Sequence, residues 1–362
     1  MRIRVGISII AAILVAAACG DGGGGEGGDT AADGGQPSEL NALVWCDHTD
    51  PELLQPFEEE HNVTVNVRDY EGTGVALGML EQSQPGDWDV FVVDSVDVPR
   101  VAEAGWLAEL NPDDFPWDDF FPQVQMPEVH YVDDTLYAVP EKFGYNVVAY
   151  NSDNVDPDDM RDLESLWDPE YQGRIAVYDY YIPTMELVGL SLGIQPSDLT
   201  ADDLPAISER LTDLKAQTAV TGDVVTTQTA LATGEVDIIV GGGEFVTGVL
   251  ETENPALDWV LPDQGGVRWQ QAIGVIESSE NKELATEFVK YIVSPEGQAR
   301  LATSSCYWAM PANSKATLDD EQKEILRWDE QEVFIENSSP YFIPDQELDK
   351  QMLDVWTQFL GA

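Results

Sequence analysis

The first residues to weigh are those that could do chemistry. Gly189-Leu190-Ser191-Leu192-Gly193 matches the G-x-S-x-G pattern, in which a serine on a strand-to-helix turn attacks an acyl carbon and a histidine later in the chain takes its proton. Here the segment lies inside an apolar helical pattern, and the three histidines, His48, His61 and His130, all come earlier. That argues against a nucleophile elbow. With three cysteines and three histidines, a multi-ligand zinc site, an iron–sulfur cluster and a disulfide-rich scaffold are all disfavoured, and no metal or cofactor is expected. Carboxylate pairs, the tools of a glycosidase, are abundant, but in a chain with 68 acidic residues their presence carries little information. A secreted hydrolase is therefore kept only as the rival class to a binding protein.

The elements that would position such residues alternate. Strands are expected at 40–45, 63–67, 88–93, 136–139, 146–151, 175–178, 236–240, 259–261 and 272–276. Helices are expected at 51–61, 75–82, 98–107, 160–166, 184–192, 204–216, 282–292, 321–326 and 346–360. This is the rhythm of an α/β fold, a parallel or mixed sheet covered by helices. The chain has 362 residues, 43% of them apolar, enough for about two domains with a sizeable core. Its net charge of −51, with only 17 basic residues, excludes a nucleic-acid binder and a protein held on anionic lipid by basic charge. The acidic excess runs along the whole chain, as expected of a surface kept hydrated in a salty habitat, and it would also attract cationic ligands.

The N-terminus carries an address. Arg2 and Arg4 precede a 14-residue apolar stretch, 5–18, too short for a comfortable membrane span, and then come Ala16-Ala17-Ala18-Cys19. Small residues before a single Cys resemble the bacterial lipobox, which implies a lipoprotein signal peptide over 1–18 and a lipidated Cys19; the alternative is an ordinary secretory signal. Residues 20–38 hold nine glycines and four acids and no large apolar side chain, so 19–38 reads as a lipidated Cys and flexible tether, about 25 Å end to end. Gly22, Gly24 and Gly27 match G-x-G-x-x-G there, but with no strand before and no helix after, they bind no dinucleotide.

Several segments carry a family resemblance in their order and spacing. They are Asp89-Val90-Phe91-Val92-Val93, then Leu136-Tyr137-Ala138-Val139-Pro140 leading into Val147-Val148-Ala149-Tyr150-Asn151. Next come Leu166-Trp167-Asp168-Pro169-Glu170-Tyr171-Gln172-Gly173-Arg174-Ile175, Gly234-Glu235-Val236-Asp237 and Ser294-Pro295-Glu296-Gly297-Gln298. Over about 40–360 the chain resembles the extracellular solute-binding proteins of ABC importers, type 2 topology, and most closely their spermidine/putrescine-binding branch. The resemblance implies a two-lobed type 2 periplasmic-binding fold with the ligand cleft between the lobes and two crossover strands. Lobe 1 would be 39–146 and 271–312, lobe 2 would be 147–270 and 313–362.

The resemblance also implies a site. This branch lines an apolar slot with aromatic rings and meets ligand ammonium groups with acids. Trp45, Trp269 and Tyr307 match its aromatic positions; Asp94 and Tyr180 fall where it has other residues, and its acid two places after the second Trp becomes Gln271. Asp94, Asp97, Asp179 and Glu244 are the candidate replacement acids. Because Cys46 follows Trp45 and Cys306 precedes Tyr307, a Cys46–Cys306 bridge is expected. The implied protein is a monomeric, lipid-anchored, non-enzymatic receptor outside the cytoplasm. It captures a small organic cation, foremost a polyamine, and hands it to a membrane permease. A betaine, amino-acid-like or thiamine-like solute is the alternative.

Overall fold

The computed structural model describes residues 38–361; the expectations for the signal peptide, Cys19 and the tether lie outside the described residues, apart from Ser38 at the tether's end. In chain order the first strands are β1 (Ser38–Val44), β2 (Val63–Asp69), β3 (Val90–Asp94), β4 (Tyr131–Val132), β5 (Thr135–Leu136) and β6 (Val139–Asn151). They are followed by β7 (Ile175–Tyr178), β8 (Thr218–Gly222), β9 (Ile238–Gly242), β10 (Leu257–Val260), β11 (Gly266–Val275), β12 (Met310–Pro311) and β13 (Ser338–Pro340).

β1 pairs in parallel with β2 and β3, and β3 reads Val-Phe-Val-Val-Asp with every residue buried, as a strand covered by helices on both faces must. The covering helix Pro51–His61 starts where Asp50 accepts a hydrogen bond from the Glu52 amide and Pro51 presets the first turn; it stops at Asn62, which turns left-handed at φ 49°. Its Leu53, Leu54 and Phe57 face the core.

Two strands carry the chain through the middle of the ladder, whose order is β2-β1-β3-β11-β6-β9-β7-β8. β6 is 13 residues long and changes partner along its length. It runs antiparallel to β11 from Val139 to Asn146, then to β9 and β10 from Val147 onward. β11 changes too, from β13 at Gly266–Arg268 to β3 at Gln271–Val275. Helix Gln346–Gly361 packs across helices Tyr181–Ser191 and Leu204–Gln217.

Most expected elements are present within a few residues, and the departures have causes. The strand expected at 146–151 starts earlier, as the long strand β6 from Val139, because Glu141 and Lys142 are neutralised by buried ion pairs and so do not break it; the strand expected at 136–139 is divided between the end of β5 and the start of β6. The helix expected at 98–107 stops at Glu103, since Gly105 takes a φ of 74°. The helix expected at 160–166 is two short 3-10 turns, Asp159–Arg161 and Leu163–Trp167. Among the elements with no counterpart in the expectation are β8, helix Val224–Ala232 and helix Glu244–Glu251. Val224–Ala232 is rich in β-branched residues, yet Asp223 caps its first turn by accepting from the Thr226 amide, and the cap overrides the propensity.

Candidate ligand cleft

The carboxyl ends of β1, β2, β3 and β7 converge on one cleft, the usual place for a ligand in an open α/β sheet. Trp45 follows β1, Glu71 follows β2, Asp94 ends β3, and Tyr178 ends β7 with Tyr180 just beyond. Asn146 enters where β6 changes partners, and Trp269 and Gln271 enter from β11. The cavity between them is narrow, about 40 Å³, and opens to solvent at its mouth.

One carboxylate is buried in this wall. Asp94 is 3% exposed, and its Oδ2 accepts from the Tyr180 hydroxyl at 2.8 Å and the Thr73 hydroxyl at 2.9 Å. Burial pushes the Asp94 carboxyl above the usual range, against the pull of these hydroxyls. Glu71 is an exposed residue beside it, raised by partial burial of its carboxylate and by the nearby Asp223 and Asp69. The cleft therefore sets two carboxyl groups with raised pKa values, one inside and one at its edge, among rings that present π-electron faces; a bound cation would favour their ionised forms.

Those rings are packed against one another. Trp45 lies 4.9 Å from Tyr70 and 6.4 Å from Tyr180, centroid to centroid. Phe245 stands edge-on to Trp269 at 6.0 Å, and Trp269 edge-on to Tyr307 at 6.1 Å. Trp269 is the ladder partner of Gly144, and a Cβ at Gly144 would overlap both the Trp269 indole and the Glu244 carboxylate. Only glycine lets the indole lie over β6. Gln271 Nε2 donates to the Tyr307 hydroxyl at 2.7 Å, while Gln271 Oε1 and Trp45 Nε1 are buried without a partner. Two unspent polar atoms thus line the cleft, one acceptor and one donor, ready for a ligand.

Behind Tyr307 lies a closed set of four charges. Lys142 Nζ donates to Asp47 Oδ2 at 3.0 Å and to the carbonyls of Leu301 and Tyr307 at 2.9 and 3.1 Å. His48 lies between Asp47 at 2.8 Å and Glu141 at 3.1 Å, and all four side chains are fully buried. Burial opposes charge on His48, but Glu141 and Asp47 hold it up to about 10. Burial would likewise raise Asp47, but Lys142 and His48 keep it well below the carboxylate range. Lys142 Nζ also stands 4.2 Å from the centre of the Tyr307 ring. Cys46 and Cys306 are bonded beside this cluster, 260 residues apart in sequence, with Cα atoms 6.0 Å apart.

Of the residues expected in the site, Trp45, Asp94, Tyr180, Trp269, Gln271 and Tyr307 line the cleft. Asp179 and Glu244 do not, which corrects the expectation for both. Asp179 is exposed and accepts from Trp356 Nε1 at 2.8 Å, because alternation past β7 turns Tyr178 and Tyr180 inward and the residue between them outward. Glu244 is buried, but its carboxylate accepts from the Tyr145 amide at 3.0 and 3.2 Å and is spent inside the fold. Asp97 is also buried away from the cleft, paired with Arg100 at 2.8 Å. Glu71, Asn146, Tyr178, Val224 and Phe245 line the cleft without having been expected there. Tyr178 was legible from the same alternation, whereas Val224 and Phe245 belong to helices that went unread. Ser191 ends helix Tyr181–Ser191 with its hydroxyl donating to the Val188 carbonyl at 2.7 Å, not on a strand-to-helix turn.

Residues 52–326 match the family described as bacterial extracellular solute-binding protein. The chain belongs to this family. Among curated relatives, the spermidine/putrescine-binding periplasmic protein of Escherichia coli (strain K12) is 22% identical over 283 residues, covering 77% of this chain and 80% of that one. The putrescine/agmatine-binding protein of Pseudomonas aeruginosa is 24% identical over 312 residues, covering 80% and 83%. The crystal structure of a spermidine/putrescine ABC transporter substrate-binding protein from Streptococcus pneumoniae superimposes with a TM-score of 0.73 at 19% identity, covering 90% of this chain and 99% of that one. The fold of this solute-binding protein is thus the α/β periplasmic-binding fold. Among the described residues no helix is long and apolar enough to cross a membrane.

Proposed function

We propose that this protein captures a small organic cation of the polyamine class outside the cytoplasm and delivers it, unchanged, to a membrane ABC permease. The observation that carries the reading is Asp94, a buried carboxylate in an aromatic-walled cleft, with Glu71 at the edge for a second ammonium group. A desolvated carboxylate holds an ammonium strongly, and the rings add cation–π attraction to the methylene stem between two such groups. Relatives named for spermidine, putrescine and agmatine support the same class.

The lobes we propose are 39–146 with 271–312 and 147–270 with 313–362. The partner change of β6 between Asn146 and Val147, and that of β11 between Arg268 and Gln271, support these bounds. Closure of the lobes over the ligand would follow from the extra contacts made in the closed state. The mature protein is read as a monomer tethered by lipid on Cys19. Calorimetry with putrescine, spermidine and agmatine against betaine, choline, thiamine and neutral amino acids tests the ligand class. A polyamine bound and recovered intact supports the reading; binding confined to the zwitterions or thiamine moves it to another solute, and turnover of the ligand moves it to a hydrolase.

A further inference from the structure

The cystine Cys46–Cys306 sits between two cleft walls: Trp45 precedes one half-cystine and Tyr307 follows the other. Each wall is carried by a short irregular segment, not by a regular element. Trp45 leads into the 3-10 turn Cys46–Thr49, and Tyr307 lies in the link between helix Pro295–Ala302 and β12. Outside the bond, two ties join these segments: Asp50 Oδ2 accepts from the Ser305 amide at 2.7 Å, and Lys142, ion-paired to Asp47, donates to the Tyr307 carbonyl. The Trp45 indole N–H has no partner, so no hydrogen bond fixes that ring. Both half-cystines are half-buried, within reach of a small reductant, whereas the four ions behind them are sealed.

We infer that the Cys46–Cys306 bond is a positioning device for the ligand cleft: it fixes the segment that carries Trp45 relative to the segment that carries Tyr307, and its reduction weakens ligand capture while the fold persists. The inference rests on the cleft being the binding site. A dithiol supplies the two electrons and two protons, leaves as a cyclic disulfide, and the protein gains two thiols. The sealed ion cluster still joins the same segments after reduction, which is why the fold is expected to hold. The rings, free of the covalent tie, sample more than one arrangement.

The test uses the full chain labelled with 5-fluorotryptophan, oxidised and after dithiothreitol treatment, together with the Cys46→Ser/Cys306→Ser variant. Three things are read: polyamine affinity by calorimetry, the Trp45 fluorine resonance (identified by its loss in Trp45→Phe), and the folded fraction by circular dichroism. The expected result is one sharp Trp45 line in the oxidised protein, a broadened or split line in the reduced and variant proteins, and at least tenfold weaker binding with the folded fraction unchanged. An unchanged line with affinity within twofold overturns the inference. So does weaker binding that only tracks unfolding in both preparations, since the bond would then be a general staple. If the oxidised protein binds no polyamine, the ligand reading fails, while the fluorine line still decides the role of the bond.

Discussion

Gln271 stands opposite Asp94 in the antiparallel ladder between β11 and β3, and both side chains enter the cleft. Directly opposed residues on one face have Cβ atoms about 5 Å apart, so a carboxylate at either position reaches nearly the same point in space. The acid that the family resemblance places at 271 has a stand-in one strand over. Asp94→Asn is expected to weaken cation binding at least about a hundredfold, the order of removing one partner from a buried charge pair. Adding Gln271→Asp should recover a tenfold or greater part of that loss. Calorimetry on the two variants decides it; a double variant no better than the single one rules out the exchange.

Trp45→Ala and Trp269→Ala are each expected to cost about 1–3 kcal/mol of ligand binding, from lost apolar contact and cation–π attraction. If both bind the ligand as wild type does, the aromatic cleft is not the site.

Binding should weaken on acidification. A cation needs Asp94 ionised, and burial raises its folded-state pKa, so the loss begins above the ordinary carboxylate range. Titrating affinity from pH 8 down to pH 4.5 should show this fall, with a share from Glu71, which is pushed up to about 7; the Asp94→Asn variant should keep only the Glu71 share, and Asp94→Asn with Glu71→Gln should lack the fall.

Stability of the unliganded protein should move the other way on the alkaline side. Burial pushes Glu244 up to about 8, against the backbone amides that pull it down. Its unfolded form releases the proton near the ordinary glutamate value, so its stabilising share is whole below about 4.5 and falls as pH rises towards 8. His48, held up to about 10, gives a share that is whole below about 6.5 and lost as pH rises through 10. The midpoint of thermal unfolding should therefore drop between pH 6 and pH 9.5 by several degrees. Glu244→Gln should raise it at pH 8.5 and change it little at pH 5.

Lipid on Cys19 should send the protein into the detergent phase of a two-phase partition, and Cys19→Ser should leave it in the aqueous phase. A wild type found wholly in the aqueous phase excludes the anchor.

Much of the fold was legible because its signals are local. Helix Pro51–His61 announces itself by Asp50, Pro51 and the spacing of Leu53, Leu54 and Phe57, and β3 by an unbroken apolar run. The first half of β6 went unread, since it carries Glu141 and Lys142, and the partners that neutralise them, His48 and Asp47, lie more than ninety residues away. The cleft was legible where a residue ends a strand, as with Trp45 and Asp94. It was misread at Glu244, where a buried acid serves a backbone amide of β6, a pairing that no local pattern announces.

The bond from Trp356 to Asp179 has a practical meaning for anyone who would build with this protein. Helix Gln346–Gly361 reaches back to the loop between Tyr178 and Tyr180, and its Asp349 also accepts from the Tyr181 hydroxyl. This helix is a brace for two of the cleft's rings. A biosensor made from this protein has to keep helix Gln346–Gly361 whole, since trimming it would detune the sensor.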